Sequence, residues 1–122
     1  MAKEELYEII RAPFSELNKL KIGMLVRATL PEILELELIS EMEVKKMAQD
    51  NYSKIFFNLN YPVLKLVDEN LSINENRTIG EYTRYYAAPI KYKNSRYLIT
   101  SEWYDRNQEE YIKWFKNKVK TE

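Results

Sequence analysis

The sequence predicts a mixed α+β fold: a helical bundle, one two-stranded antiparallel hairpin and a C-terminal helix. Three observations lead there. Apolar residues recur at helical spacing from Leu6 to Leu59. After Gly80 the texture changes to strand-favouring Tyr, Thr and Ile. The helical period then returns between Asn107 and Lys118. The 122 residues match the usual size of one domain. The chain is therefore read as a single domain over 1–122, with a helical core at 22–67, a hairpin at 83–100 and a C-terminal helical segment at 102–120.

Leu6, Ile9 and Ile10 fall on one stripe of a short first helix, which Pro13 stops. Phe14, Leu17 and Leu20 suggest a further turn packed on the body. Ile22, Leu25, Val26, Leu30, Ile33 and Leu34 keep the helical period over 22–37. Pro31 either kinks that helix or restarts it behind Thr29. Ser40-Glu-Met-Glu43 is a capping-box pattern, so a helix is expected over 41–48 with Val44, Met47 and Ala48 inward. Gln49-Asp50-Asn51 is a turn, because Asn and Asp bond their own backbone. A fourth helix over 52–60 would bury Tyr52, Ile55, Phe56 and Leu59, with Asn51, Lys54, Asn58 and Tyr61 on a second, polar face, until Pro62 ends it. Val63, Leu64, Leu66 and Val67 are read as one or two more helical turns, and the polar stretch 68–80 as a long loop.

Tyr82 to Tyr92 and Tyr97 to Thr100 are the strands of the hairpin, with Lys93-Asn-Ser-Arg96 as its turn. Pro89 demotes the first strand to an edge or splits it. Asn107-Gln-Glu-Glu110 opens the last helix, whose Tyr111, Ile112, Phe115 and Val119 pack inward with Trp114 at the margin. Lys113, Lys116, Lys118 and Lys120 lie towards its C-terminal end, where the helix dipole favours cations.

Composition excludes several kinds of chemistry. The chain has two glycines, no cysteine and no histidine. Glycine-rich phosphate loops, thiolate nucleophiles and histidine bases are therefore absent, and no metal or cofactor is expected. The acidic pairs Glu35/Glu37, Glu41/Glu43 and Glu109/Glu110 are adjacent or two apart, spacings that diverge on a helix, so they read as exposed surface. Glu43-Val-Lys45 has a nuclease-type spacing but diverges for the same reason. No catalytic residue and no enzymatic activity are expected. The start, Met1-Ala-Lys-Glu-Glu, has no apolar run, and no stretch reaches the ~18 apolar residues of a membrane span. A cytoplasmic protein without membrane contact is expected.

The order of elements carries the functional reading. A helix at 41–48, a three-residue turn and a helix at 52–60 form a helix-turn-helix-like pair, and a hairpin follows with Arg84, Lys91, Lys93 and Arg96 and no acid among them. Over residues 22–100 this resembles a winged-helix domain of a small bacterial or phage protein. The resemblance implies DNA binding in a regulatory or defence-related setting. It implies that Asn51, Lys54 and Asn58 face bases or phosphates from the second helix. It also implies that Arg84, Lys91, Lys93 and Arg96 are wing contacts to double-stranded DNA. Lys plus Arg and Asp plus Glu both number 19, so binding is expected to be weak alone, and stronger as a homodimer or inside a complex. The alternative is a protein-binding module or inhibitor. It would use the tyrosine-rich hairpin and the Trp-bearing C-terminal segment, with Tyr92 and Trp103 as anchors.

Overall fold

The computed structural model describes residues 3–119; Lys120, expected among the terminal lysines, lies outside the described residues. The fold is α+β, as the sequence predicts. It runs α1 (Lys3–Arg11), α2 (Phe14–Leu17), α3 (Ile22–Glu35), α4 (Glu41–Met47), α5 (Asp50–Phe57), β1 (Leu64–Leu66), α6 (Ile73–Arg77), β2 (Thr78–Ile79), β3 (Tyr82–Thr83), β4 (Ile90–Tyr92), β5 (Ser95–Ile99), a 3₁₀ turn (Asp105–Asn107) and α7 (Gln108–Lys118).

Pro31 sits inside α3 without breaking it. Leu25, Val26, Leu30, Ile33 and Leu34 all face the core, so the apolar stripe outweighs the lost N–H. The helix closes in a Schellman motif: Leu38 N–H donates to Ile33 O at 3.0 Å and Glu37 N–H to Leu34 O at 3.0 Å. Glu37 supplies the left-handed residue at φ 54°. At α4 only half of the expected capping box forms. Ser40 Oγ accepts from Glu43 N–H at 3.1 Å, while the Glu43 side chain turns inward.

Helix α5 departs from expectation in phase. It begins at Asp50 and ends at Phe57, so Asn58 and Leu59 lie beyond it. Its buried positions are Ser53 and Phe57, whereas Ile55 is 72% exposed and Phe56 45%. Ser53 explains the rotation. Its hydroxyl donates to Met47 O at 3.3 Å and accepts from Val63 N–H at 3.0 Å, drawing this small side chain against α4 and the chain after α5. Asn58 is the left-handed residue of a second Schellman-type ending, at φ 57°, with Leu59 N–H donating to Ser53 O at 3.3 Å.

The run 63–67 holds a strand, Leu64–Leu66, and not a helical turn. β1 pairs antiparallel with β5, and β4 pairs with the other edge of β5, giving the order β1-β5-β4. A short apolar run takes the state its partners dictate, and β5 offers a free ladder. The hairpin turn is Lys93–Asn94, with Lys93 at φ 52°, so Ser95 and Arg96 belong to β5. Pro89 splits the outer strand. Tyr85 bridges Thr100, the ladder lapses, and β4 resumes at Ile90. The expected loop 68–80 contains α6, held by a capping box between Ser72 and Glu75. Asn76, fully buried, fastens it: Nδ2 donates to Ser72 O at 2.9 Å and Oδ1 accepts from Asp68 N–H at 2.8 Å. β2 and β3 form a separate two-stranded ribbon.

The core lies between α3, the sheet and the α5–α7 pair. Phe57, Trp103, Tyr111 and Trp114 form its aromatic centre, with ring centroids 5.3–6.3 Å apart in the closest pairs. Trp114 is buried there, not at a margin.

Glu37 gives the fold its sharpest test. A non-glycine residue at a left-handed position costs on the order of 1 kcal/mol relative to glycine. Glu37→Gly should therefore be about 1 kcal/mol more stable than Glu37→Ala in urea denaturation, a comparison in which both variants lose the same charge.

Candidate interaction face

The residues singled out in the sequence do not converge on one surface. Asn51 and Lys54 are exposed on α5, and no ion pair involves Lys54 among the described residues. Asn58 is exposed but lies off the helix, where its side chain is no longer in phase with Lys54. Its carbonyl accepts from Asn107 Nδ2 at 2.8 Å. Lys91 and Lys93 lie beside Glu35 and Glu37, and Lys93 approaches Glu41 at 3.9 Å. Arg96 makes a two-pronged contact with Glu69, at 2.6 and 3.0 Å. Arg84 pairs with Glu102 at 3.1 Å and lies between β3 and the Tyr85 bridge, away from the β4–β5 turn. Three of the four expected wing cations thus have acidic partners.

The two expected anchors are core residues. Tyr92 is 3% exposed and donates its hydroxyl to Ile39 O at 2.8 Å. Trp103 is 7% exposed and donates Nε1–H to Thr100 O at 2.7 Å. Both turn inward because burial supplies their ring contacts and a carbonyl satisfies the polar tip. The acidic pair at 41/43 is likewise corrected. Glu43 is buried, where it accepts from Tyr52 Oη and from Trp114 Nε1 at 2.7 Å, while Lys45 is exposed and pairs with Glu41 at 3.6 Å. Among the described residues no group of three or more His, Cys, Asp or Glu could hold a metal ion. No described helix is long and apolar enough to cross a membrane.

A different constellation does come together. A cleft of about 280 Å³ is lined by Asn60, Tyr61, Arg84, Glu102, Tyr104 and Arg106. The Arg84 guanidinium lies 5.0 Å from the ring centroids of both Tyr61 and Tyr82. Arg106 lies 5.2 Å from the ring centroid of Tyr104. Glu102 joins the two halves: Oε1 accepts from Arg84 Nη1 and from Tyr104 Oη, each at 3.1 Å. That hydrogen bond raises the Tyr104 hydroxyl above its ordinary pKa. Tyr82 is 61% exposed and Tyr104 50%.

Sequence reasoning found Arg84 but not its neighbours. The sequence puts Tyr61 on the polar face of the 52–60 helix, and Tyr104 and Arg106 in the C-terminal helical segment, with no signal that joins Tyr61 to them. The alternation of Tyr and Arg at 82, 84, 104 and 106 was the available signal. Asn107 secures the second half. It was expected to cap α7. Instead Oδ1 accepts from Tyr104 N–H at 2.7 Å and Nδ2 donates to Phe57 O at 3.0 Å.

No protein-family model matches the chain, and no curated protein or solved structure matches it either. The fold and the cleft define an α+β domain with an aromatic and basic surface.

The inner tyrosines set the alkaline behaviour. Burial is the largest cause raising the hydroxyl pKa of Tyr52, Tyr85 and Tyr111, with Glu43 adding to the effect at Tyr52. A pKa raised in the folded state means that only the unfolded chain ionises first. Stability is therefore full below the unfolded value of about 10 and falls as pH rises above it. The urea midpoint should drop from about pH 10 upward. In the same window, absorbance at 295 nm should show fewer ionised tyrosines folded than unfolded. Tyr111→Phe should shrink that difference.

Proposed function

We propose that this protein is a protein-binding module that engages its partner through the tyrosine–arginine cleft. The observation that carries the reading is the fixed stack of Arg84 between Tyr61 and Tyr82. Tyr and Arg dominate binding hot spots, and a guanidinium already held by two rings and a carboxylate loses little freedom on association. Tyr82 and Tyr104 add exposed, rigid contact area beside it.

DNA binding is the second reading. Exposed Asn51 and Lys54 on α5 favour it. The balance of 19 basic and 19 acidic residues, and the acids paired with Lys93, Arg96 and Arg84, weaken the field that a duplex would meet.

The test uses the immobilised chain and a lysate of its source organism. A specific partner should be retained by the wild type and by Ile55→Ala. Its affinity should fall roughly thirtyfold or more with Tyr82→Ala combined with Tyr104→Ala, as a hot-spot loss of ~2 kcal/mol requires. Retention unchanged by the tyrosine changes overturns the reading. The purified chain should not bind mixed duplex DNA at ~50 mM salt. Binding there that Lys54→Ala weakens, and the tyrosine changes do not, would establish DNA as the ligand instead.

A further inference from the structure

We infer that the cleft recognises an oxyanion carried on a peptide, a carboxylate or a phosphate, and that this group anchors the partner. The inference rests on the protein-binding reading and specifies its chemistry. The uncommitted groups lining the cleft are mainly donors. Arg106 has no ion-pair or hydrogen-bond partner among the described residues beyond its stack on Tyr104. The Asn60 amide and the Tyr61 hydroxyl make no side-chain hydrogen bond among the described residues either. Arg84 uses only Nη1, towards Glu102.

The acceptor side is already occupied. Glu102 is the one carboxylate in the lining, and its Oε1 serves both Arg84 and Tyr104. Its side chain is only 17% exposed. A cation entering the cleft would meet two guanidiniums and a carboxylate that is committed elsewhere. An oxyanion would meet two guanidiniums whose forked N–H groups match carboxylate and phosphate geometry. Arg84 Nε adds a further pointer. Among the described residues it is the buried side-chain polar atom without a hydrogen-bond partner. Such atoms are rare in folded proteins and call for a physical reason. An oxyanion seated against that edge of the held guanidinium would provide the missing acceptor.

Size favours an anchor group over a whole free ligand. Small-molecule pockets run roughly 300–1,000 Å³, and this cleft holds about 280 Å³. That suits one acidic or phosphorylated side chain, with the rest of the segment lying over Tyr82 and Tyr104 outside.

The test is an NMR titration of the ¹⁵N-labelled chain, observing backbone amides and arginine Nε–H signals. The probes are N-acetyl-aspartate amide, phenyl phosphate and the neutral N-acetyl-asparagine amide. Saturable shifts at Arg84 and Arg106 are expected with at least one oxyanion and not with the neutral amide. Arg106→Gln, at an exposed position, should keep the backbone spectrum and weaken that binding by roughly fivefold or more. A stronger response to phenyl phosphate identifies a phosphorylated segment, and a stronger response to the aspartate probe an acidic one. Equal shifts with the neutral amide, no saturable response, or an Arg106→Gln chain that binds as before overturns the inference. Partner capture that depends on Tyr82 and Tyr104 without an oxyanion response overturns this inference alone. Oxyanion binding with capture indifferent to those tyrosines overturns the protein-binding reading.

Discussion

Phe57 packs against Trp103, Tyr111 and Trp114, with ring centroids 6.2, 6.3 and 5.3 Å away, and the rest of the structure is arranged around that contact. Phe57 is the last residue of α5, and the chain reverses directly behind it through left-handed Asn58. Trp103 leads out of the sheet, and Tyr111 and Trp114 belong to α7. Aromatic pairs of this kind are each worth roughly 0.5–1.5 kcal/mol beyond their buried area. The cluster therefore brings the segment after α5 and the segment before α7 side by side. Asn107 then fixes their spacing, with its amide on the carbonyls of Phe57 and Asn58. Asn60 and Tyr61 line one wall of the cleft, and Tyr104 and Arg106 the other, as a consequence of core packing rather than of local sequence.

The third wall depends on Thr100. Its N–H donates to Val63 O at 2.9 Å, its hydroxyl to Arg84 O at 2.8 Å, and its own carbonyl receives Trp103 Nε1–H. A buried threonine so placed ties the end of β5 to the segment carrying Arg84. Ser101 N–H adds a second bond to the Arg84 carbonyl, at 2.9 Å. The Arg84 backbone is pinned before its side chain makes any contact. The guanidinium can then hold its place between two tyrosines without paying much rotamer entropy.

The elements that sequence could read were those whose signal is local. The long apolar period of α3, the Ser40 cap and the shift to strand-forming residues after Gly80 needed no partner to be seen. The run 63–67 was illegible because helix and strand share its pattern, and only the ladder with β5 decides. The phase of α5 was illegible because Ser53, a small polar residue, holds the buried position while Ile55 points out. Helix α6 was missed although Ser72-Ile-Asn-Glu75 carries the same capping signature used for α4. The tyrosines divide by a rule the sequence does not display. Tyr85, Tyr92 and Tyr111 find Pro62 O, Ile39 O and Thr29 Oγ1 for their hydroxyls and sink into the core. Tyr82 and Tyr104 remain exposed. The cleft draws on both halves of the chain, so no window of sequence could show it.

Charge pairing separates the two surfaces that carry cations. Exposed ion pairs such as Lys93–Glu41 and Arg96–Glu69 add little stability, typically about 0–1 kcal/mol, but each cancels a charge that a polyanion would otherwise feel. The pairing therefore lowers the local field more than it adds to stability. Around the cleft the same accounting gives a different result. Glu102 offsets one guanidinium, and Arg106, stacked on the Tyr104 ring, has no acidic partner among the described residues. A single residual charge in a partly enclosed, aromatic-walled site is felt at short range and in a fixed direction. That favours one oriented ionic contact within a folded interface over the many screened contacts along a nucleic-acid backbone.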